Sequence, residues 1–329
     1  MIHVRIKLSK GFSNQSMEFL TKSGKHLSKI GIGTYGIGGR AHRYLGEVDN
    51  ISDELYIEAL KLQLNLGMNF SEISNAYAQG KSSKLFAKAI KDSGVAREDI
   101  FLSHSIYPKD IIKLEDIYHD VEDIHEVFNT EYFDSTLVTF SLIIKFGEEN
   151  VFSLLESLLS KGKTRFVSLS NSNVEMILRF KEMFGDRFFA HESHLSFEIR
   201  ENQDEGILTH CEELGVRNNI WRPLRENKTS KHNWELLVQL SEKYNKTQNQ
   251  IILNWMLSNN YFPMVFSTKF DHIKENFESQ NFKMSDEDIL EINKFRVDGY
   301  SKPKVDWNKT GDGISVALLP DQFENNYCQ

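Results

Sequence analysis

Short runs of β-branched and aromatic residues alternate with longer segments of helical period along most of the chain. A compact apolar run bounded by Gly, Ser or Asn predicts a buried strand. Apolar residues recurring every three to four positions predict a helix packed on it. Strands are predicted at 30–35, 68–71, 100–106, 135–140, 165–169, 188–192, 216–221 and 263–267. Helices are predicted at 54–66, 82–92, 112–128, 150–161, 174–184, 203–214, 234–244, 248–257, 271–279 and 285–295. In the first of these, Leu55, Ala59, Leu62 and Leu66 share one face, and Ser52-Asp53 can cap its start. Gly67, Gly162 and Gly215 stand where helices should stop. Ahead of the first strand, residues 17–20 and 27–30 flank Ser23-Gly24-Lys25, which predicts a small hairpin.

Eight strands, each followed by a helix, are what an α/β fold of the (β/α)8 barrel type requires. A doubly wound sheet is the alternative, but no Gly-x-Gly-x-x-Gly follows a strand, and eight units close more naturally than they spread. The reading is a single barrel domain over residues 1–329. Residues 1–16 form an extension, and 297–329 a loop-like tail after the last helix. The polar insert 225–231 lies inside the repeat rather than between domains.

Bulk properties narrow the partners. The chain has 329 residues and a formal charge of −8. An acidic balance argues against nucleic acid. No apolar run approaches the roughly 18 residues that span a bilayer. The start, MIHVRIKLSKGF, lacks the apolar core of a signal peptide. Cys211, in a predicted helix, and Cys328, in the tail, show no metal-type spacing, which fits a reducing cytoplasm. A small-molecule substrate and a monomer or small homo-oligomer are expected. Three local patterns read as ordinary structure. The acidic run 115–126 is a solvated helix face. GIGGR at 36–40 is a turn. In His191-Glu192-Ser193-His194 the two histidines fall on opposite faces of a strand, which argues against a metal pair.

Candidate chemistry concentrates in residues 66–80, LGMNFSEISNAYAQG. A strand here would deliver Glu72 and Tyr77 to a loop at its carboxyl end, where barrels place reactive groups. This stretch resembles the aldo-keto reductase signature, which carries an aspartate and a tyrosine at these positions. LSKIGIGTYGIGG resembles that family's first strand. GKTRFVSLSNSN resembles its fifth, IWRPL its seventh, and STKFDHIKEN the loop and helix near the adenosine half of its cofactor. The resemblance runs in order from about residue 17 to 296.

It implies NAD(P)H-dependent reduction of a carbonyl. Ser170 and Asn171 would hold the nicotinamide amide, Trp221 would stack on its ring, and Ser267, Lys269, His272, Glu275 and Asn276 would meet the adenosine half. Tyr77 would give the proton. The family's tetrad also has a lysine and a histidine, and here those positions read Ser105 and Thr139. A one-residue slip would offer His104, but strand alternation points it away from 103 and 105. The aspartate is replaced by Glu72, a strand-six glutamine by Glu192 and a strand-seven serine by Arg222. Arg222 is expected to pair with Glu192 or Glu72 and supply the missing charge. The pair that grips a 2′-phosphate reads Phe266 and His272, which argues against tight NADP binding and leaves NADP, NAD or no dinucleotide open. The expected activity is reduction of a polar, sugar-like aldehyde or ketone. The alternative is a barrel that lost hydride transfer and binds a ligand or does other acid–base chemistry.

Overall fold

A computed structural model describes residues 19–39, 50–107 and 111–297. Eight parallel strands close into a barrel in chain order. They are β1 (Gly31–Gly33), β2 (Phe70–Ile73), β3 (Phe101–Ile106), β4 (Phe133–Thr139), β5 (Thr164–Ser170), β6 (Phe188–His194), β7 (Arg217–Trp221) and β8 (Tyr261–Val265). β1 pairs with both β2 and β8, which shuts the ring. The outer helices bury their apolar stripes against the strands. Helix Asp53–Asn65 is capped by the Ser52 side chain, and Gln248–Ser258 by a reciprocal Thr247–Gln250 capping box. Helix Val174–Phe184 has the predicted bounds.

The floor of the barrel is closed by aromatics. Phe70, Phe101, Phe166 and Phe189 meet inside it, with Phe101 and Phe189 stacked at 4.3 Å. Phe19 and Leu27 from the N-terminal turn pack on this layer. The guanidinium of Arg217 lies 3.6 Å over the Phe262 ring, and burial pushes its pKa down to about 9. The floor being packed, the carboxyl ends of the strands are the open side.

Asp134 at the start of β4 is fully buried and pins three strands together. It accepts from Arg97 (2.9 Å), Arg165 (2.6 Å) and the backbone N–H of Leu102 (3.0 Å). Asp134→Asn should cost about 2 kcal/mol in a urea melt, the usual loss for a hydrogen bond to a charged group. The loss is limited because both guanidinium side chains reach solvent, at 18% and 28% exposure. An unchanged midpoint would count against this pin.

Several boundaries differ from expectation for local reasons. β2 begins two residues later than predicted, because Asn69 is engaged with the N-terminal turn. Its Oδ1 accepts from Ser28 N–H at 2.7 Å and its Nδ2 donates to His26 O at 2.9 Å. Glu72 therefore lies in the strand, not in the loop after it. β8 also ends two residues early, leaving Ser267 beyond it. The predicted helix 203–214 is two short ones, Glu201–Asp204 and Ile207–Glu213, broken where Gly206 takes φ 74°. An unpredicted helix, Phe140–Phe146, follows β4 at once, capped by Thr139. The helix predicted from 112 starts at Asp116. The insert 225–231 holds a single turn, Arg225–Asn227, and a short helix, Lys228–His232. The hairpin is reduced to one antiparallel bridge, Leu20 to His26. The extension 1–16, residues 17 and 18 of the hairpin, Arg40 of the GIGGR turn and the tail beyond 297 lie outside the described residues. Among the described residues, no helix is long and apolar enough to cross a membrane.

Candidate active site

A cavity of about 800 Å³ opens at the carboxyl ends of the strands. Its wall includes Glu72 and Tyr77 from the β2 side, Ser105 from β3, Thr139 from β4, Ser170 and Asn171 from β5, Glu192 from β6 and Trp221 and Arg222 from β7. Ser267, Lys269, His272 and Asn276 line it beyond β8. Of the positions matched to the family's catalytic and cofactor-binding residues, Glu275 alone is not on this wall. Its backbone carbonyl accepts from Gln250 Nε2 at 3.1 Å.

The strand pairing explains the convergence. Parallel register sets Ser170 beside Glu192, and Glu192 beside Asn219. Strand alternation turns His104 outward, where its Nε2 meets Asp120 at 3.0 Å, so no one-residue slip brings it into the cavity.

Tyr77 and Glu72 are in direct contact, Tyr77 Oη donating to Glu72 Oε1 at 2.8 Å. Burial pushes the Glu72 carboxyl up to about 7, against the opposing hydrogen bonds of Tyr77 and Ser105. Burial also drives the Tyr77 phenol well above its usual range, and the nearby Glu72 and Glu192 charges push it further. Glu192 is raised well above the usual carboxylate range by burial and by Glu72. Its Oε1 accepts from Asn219 Nδ2 at 3.3 Å.

Arg222 does not do what its position suggests. It pairs with Glu226 at 3.2 Å, on its own loop, rather than with Glu192 or Glu72. The reason is backbone geometry. Arg222, Arg225, Glu226 and Asn227 all take positive φ, between 48° and 65°. This winds the loop tightly and carries Glu226 back to Arg222. Non-glycine residues held in that region cost energy and need outside support. Glu198, buried after β6, supplies it. It meets Arg225 at 3.2 Å, and accepts from Thr229 Oγ1 at 2.8 Å and Trp234 Nε1 at 3.0 Å.

Thr139 is also committed locally. Its Oγ1 shares a hydrogen bond with Ser141 at 2.8 Å and accepts from Leu142 N–H at 3.3 Å. Trp221 is held on two sides. Its ring stacks on His194 at 4.3 Å, and its Nε1 donates to Asn171 Oδ1 at 3.2 Å. Burial pushes His194 down to about 3, so the stack is with a neutral imidazole. His191 faces the other way, bonded to Ser172 and Ser193. Among the described residues, no group of three or more His, Cys, Asp or Glu could hold a metal ion.

The sequence reading missed several wall residues, notably Tyr35, Tyr56, Tyr107 and Asn249. Tyr35 meets Tyr77 edge to face at 5.4 Å, and Tyr56 stacks on Phe266 at 5.9 Å. A signal was present for two of them, since Tyr35 and Tyr107 each stand just past the end of a barrel strand.

Known proteins place this geometry in a family. The chain is 27% identical over 250 residues to a glyoxal reductase of Bacillus subtilis, covering 76% of this chain and 86% of that one. It is 27% identical over 270 residues to an NADPH-dependent alpha-keto amide reductase of Saccharomyces cerevisiae, covering 78% and 82%. A thermostable aldo-keto reductase solved with the inhibitor epalrestat superposes with a TM-score of 0.73 at 24% identity, covering 84% of this chain and 98% of that one, and this likeness concerns the fold. The model of the aldo/keto reductase family matches residues 29–297, and the chain belongs to that family.

Proposed function

We propose that this protein reduces small polar aldehydes or ketones with NADP(H), using Tyr77 and Glu72 as a two-step proton relay. The observation that carries the reading is the 2.8 Å contact between Tyr77 Oη and Glu72 Oε1 in a buried cavity. Relatives named as glyoxal and NADPH-dependent keto amide reductases support a carbonyl substrate and this cofactor.

When bound, the reduced nicotinamide supplies a hydride to the carbonyl carbon. Ser170, Asn171 and Trp221 offer polar groups and a flat aromatic face for that ring, and Lys269 offers a cation at the adenosine end. The carbonyl oxygen gains the displaced electron pair and needs a proton. Tyr77 gives one from Oη. It cannot remain as a phenolate, because burial and two neighbouring carboxyls penalise that form. Glu72 therefore returns a proton to Tyr77 across the same contact and ends ionised until water reprotonates it. A carboxyl poised near 7 suits that duty at neutral pH. Ser105, in place of a lysine, donates a neutral hydrogen bond to Glu72 instead of a charge. Overall, one carbonyl, one reduced nicotinamide and one proton give one alcohol and one oxidised nicotinamide.

Ser105 and Thr139 favour a second reading, a barrel without hydride transfer. Titration of the protein with NADPH and with NADH, followed by cofactor fluorescence, separates the two. Binding of NADPH is expected. No binding of either nucleotide up to millimolar concentration would leave the non-redox reading standing. Small dicarbonyl compounds and simple sugars then form the first substrate panel.

A further inference from the structure

The proposed relay uses Glu72 and leaves Glu192 without a part. Glu192 is 3% exposed, yet its carboxyl is on the cavity wall. Its main chain is tied into the site, the carbonyl accepting from Asn171 N–H at 3.1 Å and from Ser170 Oγ at 3.3 Å. Its side chain takes the Asn219 amide, and Asn219 in turn accepts from Arg217 Nε at 3.0 Å. The carboxyl is thus fixed in place while still open to the cavity.

Hydride and proton go to two atoms bonded to each other, so the nicotinamide ring must come close to Tyr77. Glu192 shares that neighbourhood, since its charge acts on the Tyr77 phenol. The ring carries a positive charge when oxidised and none when reduced. In a buried cavity a carboxylate distinguishes those two states strongly.

We propose that Glu192 makes the site read the oxidation state of its cofactor, giving up its proton to pair with the cationic oxidised ring and keeping it beside the neutral reduced ring. This rests on the cofactor reading above. The groups facing Glu192 decide the direction. Glu72, across the cavity on β2, opposes ionisation, and Tyr77 is neutral. Ser170 on β5 and Asn219 on β7 are uncharged, Arg217 reaches Glu192 only through Asn219, and Arg222 pairs with Glu226. With no cation in direct contact among these groups, the carboxyl holds its proton until a positive ring arrives. Oxidised cofactor then binds more tightly as pH rises, and its release slows.

The test is the affinity of the full-length protein for NADP⁺ and for NADPH, measured from about pH 6 to about pH 8 by quenching of tryptophan fluorescence. The 2′-phosphate titrates alike in both nucleotides, so it cancels in the ratio of the two affinities. The ratio should move toward NADP⁺ as pH rises, by up to tenfold per pH unit, the limit for one proton released on binding. Calorimetry in two buffers of different ionisation enthalpy should show that proton leaving with NADP⁺ and not with NADPH. Glu192→Gln should flatten the ratio, and Glu72→Gln should keep the slope. A flat ratio in the unmodified protein, or a slope that survives Glu192→Gln, overturns the assignment. Failure of both nucleotides to bind removes the reductase reading itself, a different and recognisable outcome.

Discussion

Tyr77→Phe is expected to lower carbonyl reduction by roughly 10²–10⁴-fold, the range for loss of a positioned general acid. Affinity for the nucleotide should change by less than about twofold, so the loss should fall on kcat. The substitution is clean. Phe keeps the ring that meets Tyr35 edge to face at 5.4 Å, and it removes only the hydroxyl that reaches Glu72. It has one predictable side effect. The Tyr77 hydrogen bond is among the groups that hold Glu72 down, so Glu72 should keep its proton to a higher pH in the variant. Steady-state rates on the carbonyl panel, with stopped-flow nucleotide binding, check both parts. Equal rates for Tyr77→Phe and the unmodified protein would remove Tyr77 from the mechanism.

Much of this site was legible in the sequence because barrel strands obey simple rules. A strand exposes alternate residues to one face, so once β3 was placed, Ser105 had to face the cavity and His104 the helix layer. Parallel strands in chain order bring their carboxyl ends together, so Glu72, Ser105, Thr139, Ser170, Glu192 and Trp221 converge whatever their distance along the chain. What resisted was local backbone shape. The positive φ values at Arg222, Arg225, Glu226 and Asn227 occur in a stretch without glycine, so its composition does not announce the tight winding that joins Arg222 to Glu226. The support for that winding, Glu198, sits on a different loop, and only the closed barrel brings the two together. β2 starts later than the pattern predicts for a related reason. Asn69 has an apolar neighbour on each side and reads as strand, yet its amide is engaged by the N-terminal turn 41 residues earlier. Glycine at 206 did signal the break in the predicted 203–214 helix, but a single glycine inside a helical pattern is usually tolerated.

Glu72→Gln separates the relay from simple hydrogen bonding. In the unmodified protein the donor form of Glu72 is the protonated one, and burial sets its midpoint at about 7. Reduction should therefore run at a plateau below that pH and fall about tenfold per unit above it. Alcohol oxidation needs the ionised form and should rise through the same midpoint. Gln holds the same place and can still bond Tyr77, but it has no proton to pass on. Reduction by the variant should drop by roughly 10²–10³-fold and lose its break near 7. Stability should also fall as pH rises, over the window just below the break in rate. Between 4.5 and about 7 the native state keeps a proton that the unfolded chain has released, so stability falls as pH rises across that window. Glu72's share of that fall amounts to about 3 kcal/mol, and Glu72→Gln should remove that share while leaving the contribution of the buried Glu192 carboxyl, making the variant the more stable protein above pH 7. Urea melts at either end of the window measure this directly. A variant that kept both the break in rate and the whole of the unmodified protein's fall in stability would show that another group, and not Glu72, carries the proton.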